Sequence, residues 1–297
     1  MRQDEAGKVQ ELAPGLRGLI APNPGPMTHW GTNTFIIGEG SVAVVDPGPD
    51  NPAHLDAILQ AVKGETVTHI LVTHAHLDHS PLASVMSKQT GAPVLAFGTA
   101  QDGRSEIMKN LALDGLAGGG EGVDTSFRPD IRLSDGETIE GEEWRVDVLH
   151  TPGHFASHVG FRFGDSLLSG DHVMDWSSSL VSPPDGDLRS FMETSRRLRD
   201  LQGLTFFPSH GGALTDPSGR LGWLISHRES REAAILNALS AKPQSIEAVT
   251  ARVYQDVPAA MRPAAERNVF AHLIDLVERN LVLAAPELSQ RALYRIA

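Results

Sequence analysis

The chain of 297 residues contains no cysteine. Disulfides, thiolate zinc sites and cysteine nucleophiles are therefore excluded, and a cytoplasmic setting is the expectation. No apolar run approaches the length of a membrane span, so no membrane partner is expected. No apolar stretch follows the charged start at residues 1–8, so no secretory leader is expected either. There is no GxSxG nucleophile motif, no internal repeat and no low-complexity segment. The body of the chain is also short of positive charge. The formal net charge is -12, with 15 Lys+Arg against 29 Asp+Glu in residues 1–217 and 10 against 8 in residues 218–297. A phosphate-backbone binder normally carries a basic footprint, so nucleic acid is disfavoured as a partner and a small-molecule substrate is favoured.

What is present fits one large core with a small appendage: 40% hydrophobic and 21% charged residues. The first two-thirds alternate short apolar runs with turn signals. Phe35, Ile36 and Ile37 face residues 41–45 across Gly38-Glu39-Gly40, a hairpin pattern. Residues 52–63 carry apolar Leu55, Ile58, Leu59 and Val62 at helical spacing. A strand over 69–72 comes next. Ser80 and Pro81 then mark a helix start, with Ser80 as N-cap, and Gly91 its end. Strands are expected at 94–97, 144–148, 161–163, 167–168 and 204–207. Residues 102–126, with Gly118-Gly119-Gly120, read in part as a mobile loop around a short helix at 107–113. From about residue 216 amphipathic helical patterns take over, at 221–239, 246–254 and 264–281, followed by a strand-like end at 292–296. Two domains are expected, 1–216 and 217–297.

Chemistry concentrates in one stretch. His74, His76, Asp78 and His79 fall within six positions, directly after the apolar run of Ile70, Leu71 and Val72. A lone histidine is usually structural and a polar run is usually a solvated loop. Imidazoles and carboxylates at this density, however, repel like groups when charged and are costly to bury unpartnered. A divalent cation removes both problems, because neutral imidazole and carboxylate are its ligands. Three further strand ends offer the same residue types beside a turning Gly or Pro: His154, Asp171 and His210. Five histidines and two aspartates exceed the needs of one tetrahedral zinc. They suit two cations with a shared carboxylate and a bridging water.

With these pieces in place, residues 15–215 resemble the metallo-β-lactamase fold superfamily. The matching residues are HxHxDH at His74, His76, Asp78 and His79, TPGH at 151–154, the Gly170-Asp171 pair, PSHG around His210, and Asp46 at a strand end. The resemblance implies an α/β (α+β) fold, a four-layer αββα sandwich. It implies that His74, His76 and His154 hold one metal, that Asp78, His79 and His210 hold the second, and that Asp171 bridges. The C-terminal part resembles the small, mainly helical, winged-helix-like extension of the branch related to the β-lactamase-like protein 2 hydrolases, on His227-Arg228-Glu229 and the helix running to Leu239. The chain departs from the family in placing Ser80-Pro81-Leu82 where a pair of small glycines often follows HxHxDH. It also has no cysteine to pair with a second metal, as the best-known β-lactamase class does.

The expected function is a metal-dependent hydrolase. Two divalent cations, zinc first and manganese or iron as alternatives, would generate a bridging hydroxide that cleaves a small ester, thioester or lactone. Asp78 would anchor a metal and orient the hydroxide, and His158 is a candidate for substrate contact or support. A single-stranded RNA nuclease on the same ligands, an oxidoreductase with one iron, and a binding or regulatory protein are the other readings. Thr73 and Thr151 are candidates for bonding ligand carboxylates, His172 for a supporting or exposed position, and Trp176 with Ser177-Ser178-Ser179 for a pocket wall. His29, His54, His69, His150, His227 and His272 are expected to be structural or exposed. Specificity is expected in residues 102–126, in the loop after Asp171 and in the C-terminal domain, whose helices either cover the metal rim or support a homodimer.

Overall fold

A computed structural model describes residues 7–118 and 122–297. Gly119 and Gly120, which fall in the expected mobile loop, lie outside the described residues, as do residues 1–6.

Seven strands form the first sheet. β1 (Gln10–Ala13), β2 (Leu16–Ile20), β3 (Asn33–Ile37) and β4 (Ser41–Val45) make an antiparallel meander. The chain then passes through α1 (Pro52–Ala61) to β5 (Thr66–Leu71), through α2 (Pro81–Thr90) to β6 (Val94–Ala96), and past α3 (Glu106–Leu113) to β7 (Ile131–Arg132). These last strands pair parallel, so the sheet order is β1 to β7 in sequence. The second sheet comprises β8 (Thr138–Glu140), β9 (Arg145–His150), β10 (Val159–Phe163) and β11 (Ser166–Gly170), antiparallel throughout. Helix α4 (Leu188–Arg199) then carries the chain to β12 (Thr205–Pro208), which pairs parallel to β11. The order across this sheet is β12-β11-β10-β9-β8.

Strand alternation builds the layers. Val42 and Val44 of β4 turn to one face, with Ile70, and pack under Leu55 and Ile58 of α1 and Leu82 and Met86 of α2. Ala43 and Val45 turn to the other face, with Phe35 and Leu71, and meet Val146, Val148, Phe161 and Leu168 of the second sheet. The far face of that sheet, with Leu167 and Phe206, packs on Leu198 of α4. This is the expected αββα sandwich. Its continuous apolar strands, buried on both faces, are the form parallel sheets take between helices.

The C-terminal part comprises α5 (Pro217–Leu239), α6 (Ile246–Val253), α7 (Arg262–Glu278) and the hairpin β13 (Val282–Ala285) with β14 (Leu293–Ile296). Helix α5 serves two cores. Leu221 and Leu224 pack with Leu167 and Phe206 of the second sheet. Ile235 and Leu239 pack with Val249, Phe270, Ile274 and Tyr294, and with Met108 and Leu111 of α3.

Two sequence expectations change, and one helix and one strand pair were not foreseen. Ser80 does not cap α2 through its side chain; its Oγ donates instead to the His76 carbonyl (3.1 Å) and to Asp124 (2.8 Å). The last helix ends at Glu278, because Asn280 takes a left-handed φ of 57° and turns the chain into β13. No element was expected over α4, a helix rich in arginine with few apolar anchors. The β1–β2 pair (Gln10–Ala13 and Leu16–Ile20) was not expected either.

Candidate metal centre

Four strand ends deliver polar side chains to one rim. β5 leads into residues 73–79, β9 into 151–154, β11 into Asp171 and β12 into 209–210. Asp46, the residue after β4, ties two of these ends together. Its Oδ1 accepts from the Thr73 N–H (2.8 Å). Its Oδ2 accepts from Thr73 Oγ1 (2.7 Å), Ser209 Oγ (3.2 Å) and His79 Nδ1 (2.9 Å). Asp46 is fully buried and adopts φ of 48°, a left-handed conformation unusual outside glycine. The hydroxyl of Thr73 is thus engaged by Asp46 rather than by a ligand carboxylate.

The seven expected ligands form two groups of buried donors. His74, His76, His154 and Asp171 make one, and Asp78, His79 and His210 the other, each with ligand atoms within 4.8 Å of one another. In the first, His74 Nε2 and His154 Nε2 approach His76 Nδ1 at 2.9 and 3.3 Å. In the second, His79 Nε2 and His210 Nε2 each lie 3.2 Å from Asp78 Oδ2. Asp171 stands between the groups, with Oδ2 3.7 Å from His154 Nε2 and 3.4 Å from His210 Nε2, and Oδ1 3.7 Å from His79 Nε2.

Four of the remaining ring nitrogens are held from behind. His79 Nδ1 bonds Asp46, His154 Nδ1 bonds the Leu180 carbonyl (2.7 Å), His210 Nδ1 bonds the Gly31 carbonyl (3.2 Å), and His74 Nδ1 meets Thr73 Oγ1 (3.0 Å). A carbonyl or carboxylate can only accept, so Nδ1 carries a proton in His79, His154 and His210 and Nε2 is the ring atom that faces inward. Thr32 Oγ1 donates to Asp78 Oδ2 (3.2 Å) and fixes that carboxylate. Asp78 Oδ1, Asp171 Oδ1 and His79 Nε2 are buried without a hydrogen-bond partner. Buried, convergent and unpartnered imidazole and carboxylate atoms are the donor set a divalent cation takes, so the residues fit the metals they were expected to hold.

The electrostatics agree. Burial, reinforced by neighbouring imidazoles, lowers the pKa of His74 far below its usual value and that of His76 to about 3, so both stay neutral. Burial works against ionisation of Asp78 and Asp171, but His79 and His210 more than offset it and keep both carboxylates ionised. Burial likewise disfavours charge on His210, yet Asp171 and Asp78 push its pKa up to about 10. Two buried carboxylates thus require positive charge at this point, and it is histidine ligand atoms that face them.

The C-terminal helices reach this site through a strap, residues 179–183. Leu180, whose carbonyl orients His154, lies within it. Arg228 of α5 donates to the Ser179 carbonyl and to Asn268 Oδ1 (2.9 Å), and Asn268 of α7 accepts from the Val181 N–H (3.3 Å). Arg267 donates to Ser182 Oγ (3.0 Å). Val181 packs with Phe191 of α4 and Ala271 of α7. Sequence reasoning missed Asn268, Arg267 and the part Arg228 plays, along with Asp124, which receives Ser80. Each is a single polar residue far along the chain from the motif it serves, and no spacing marks it.

His158 is fully buried, with Nδ1 bonded to Thr151 Oγ1 (2.7 Å) and Nε2 accepting from the Asp171 N–H (3.1 Å). Its contacts are those of a support under Asp171. Thr151 bonds this histidine rather than a ligand carboxylate. His172 is buried, pairs with Ser195 Oγ (3.0 Å) and stacks on Phe191. Trp176 stacks on His29 with centroids 4.6 Å apart and lines a cleft at the rim.

Comparison with known proteins agrees with this geometry. Residues 27–210 match the family model of the metallo-beta-lactamase superfamily, and residues 245–288 that of the beta-lactamase associated winged helix domain. The chain is 31% identical to the beta-lactamase-like protein 2 homolog of Drosophila melanogaster over 283 residues, 90% of this chain and 89% of that one. It is 27% identical to an atrochrysone carboxyl ACP thioesterase of Claviceps purpurea, over 79% of this chain and 68% of that one. A crystal structure of a metallo-beta-lactamase family protein from Thermus thermophilus superposes with a TM-score of 0.77 at 26% identity, covering 97% of this chain and all of that one.

Proposed function

The chain belongs to the metallo-beta-lactamase superfamily, and on that premise we propose that it is a dinuclear metal hydrolase, with zinc as the first candidate, acting on a small ester, thioester or lactone. The observation that carries this reading is the pair of complete donor groups joined by Asp171. His74, His76 and His154 would hold one cation, Asp78, His79 and His210 the other, with Asp171 shared between them. Two cations there would supply a water acidified to near neutrality and a Lewis acid for the carbonyl oxygen.

The chain's own residues do the positioning. Asp46, Leu180 and Gly31 lock three imidazole tautomers, so the donors need no reorganisation when a ligand arrives. Thr32 holds Oδ2 of Asp78 and leaves Oδ1 unpartnered, so the carboxylate is fixed in place for a cation. The ring of His158 fixes the backbone of Asp171. The thioesterase name of the Claviceps relative supports a carbonyl substrate. A one-iron oxidoreductase has less use for the second donor group, which is complete.

Elemental analysis of the purified protein comes first. About two zinc per chain, with turnover of an ester and thioester panel, is the expected result. About one iron per chain with oxygen consumption would replace this reading by the oxidoreductase, and cleavage of single-stranded RNA alone would replace it by the nuclease.

A further inference from the structure

A cleft of about 260 Å³ lies between the first domain and the C-terminal helices. Met27, Met174, Trp176 and Leu180 line it from the metal-bearing domain, and Met261 and Ala265 from the C-terminal helices. No donor residue lines it, but two of its wall residues link it to the donor groups. The carbonyl of Leu180 orients His154. The ring of Trp176 lies so close to Gly211, the neighbour of His210, that a Cβ there would meet Trp176 Cδ1 at 2.7 Å. Among the described residues no Asp, Glu, Lys or Arg lines the cleft; its polar groups are the hydroxyls of Ser177, Ser178 and Tyr254, the indole N–H of Trp176 and the amide of Asn268.

We propose that this cleft receives an uncharged, apolar group of the substrate, so that the C-terminal domain selects esters or thioesters that carry one. The proposal rests on the hydrolase reading above. An apolar wall gains by removing an apolar group from water and offers nothing to a phosphate or carboxylate, whose desolvation it cannot offset. Three methionines let the wall adapt to chains of different shape. The strap keeps the two walls in register with the donors, since Leu180 belongs to both strap and cleft and Asn268, also in the cleft wall, holds the strap.

The test is turnover of acetyl, octanoyl and succinyl thioesters and of octyl acetate by the metal-loaded protein, in the wild type and in Ala264→Phe, which fills the cleft. Octanoyl thioester should exceed acetyl in kcat/KM by at least about tenfold. Succinyl should show no gain, and the phenylalanine should remove the octanoyl advantage. An advantage for octyl acetate instead places the apolar group on the alcohol side and supports the same cleft. Equal turnover of all chain lengths, or an advantage that survives Ala264→Phe, overturns the proposal. If Ala264→Phe does not fold, Met261→Ala should shift the optimum to longer chains, and an unmoved optimum overturns it. If no ester or thioester is turned over, the hydrolase reading fails separately. Calorimetry with 2-decanone, an uncleavable apolar carbonyl compound, then decides the cleft: binding lost on filling supports it, and absence of binding to the wild type overturns it.

Discussion

At the scale of single residues, the site depends as much on the side chains behind the ligands as on the ligands. Asp46 bonds His79 directly, so Asp46→Asn should reduce metal affinity about 10–100-fold at the group holding His79. Metal content measured against a graded chelator would then fall towards half before the rest is lost; loss of both metals together would contradict this. His272 offers a test away from the metals. Burial lowers its pKa to about 3, and neither ring nitrogen has a partner. The unfolded chain takes up this proton near pH 6.5 and the folded chain only near pH 3, so stability present above the first value falls as pH drops towards the second. The loss is at most ~1.4 kcal/mol per pH unit. His272→Phe should flatten the decline of stability between about pH 6 and 4, read from denaturant midpoints. An unchanged slope would show that His272 is not buried neutral. The candidate ligands stood out because three histidines and an aspartate in six positions have no ready structural use. The strap contacts of Arg228 and Asn268 were not, because one polar residue in an amphipathic helix looks like a solvated face until the fold shows what it meets.

At the scale of elements, the strap ties α5 and α7 to the candidate metal centre. Arg228 is buried, and its hydrogen-bond acceptors are the Ser179 carbonyl and Asn268. Arg228→Met should free the strap, loosen the Leu180 carbonyl from His154 and weaken the group containing His154 by about 10–100-fold. Competition with a chromogenic chelator would measure this, with Arg228→Lys recovering part of the loss; an unaltered affinity in a folded variant would show that the strap is held without it. Phe191 of α4 packs against this same region, and Phe191→Ala should cost about 3–5 kcal/mol of stability by thermal or denaturant unfolding. Apolar runs around turn residues, helical spacing and helix start and stop signals made β3, β4, α1, α2 and most later elements readable. α4 escaped because Leu188, Phe191 and Leu198 are its main apolar anchors, among four arginines. Its place is fixed by the packing of the second sheet rather than by a dense apolar stripe of its own.

At the scale of the whole molecule, two cores share one helix. α5 packs Leu221 and Leu224 into the sandwich and Ile235 and Leu239 into the C-terminal core, so the two parts are mechanically joined through its length. The change of character near residue 216 was legible but the sharing was not, because an amphipathic pattern states which face is apolar and not what covers it. Metal should stabilise the whole. Chelation should lower the thermal midpoint by several degrees, and zinc should restore it, as mass action on a ligand of the folded state requires. A midpoint indifferent to both would mean that the donor groups do not bind metal. The carboxylate of Asp46 has a final consequence for the order of events. It joins the ends of β4, β5 and β12, and the donors of each group come from both sheets. Neither group can exist until the sheets have docked, so metal cannot act as a template for this chain as it does for a zinc finger. Metal uptake should be a late step, taken by a chain that has already folded, and in refolding it should trail the return of secondary structure.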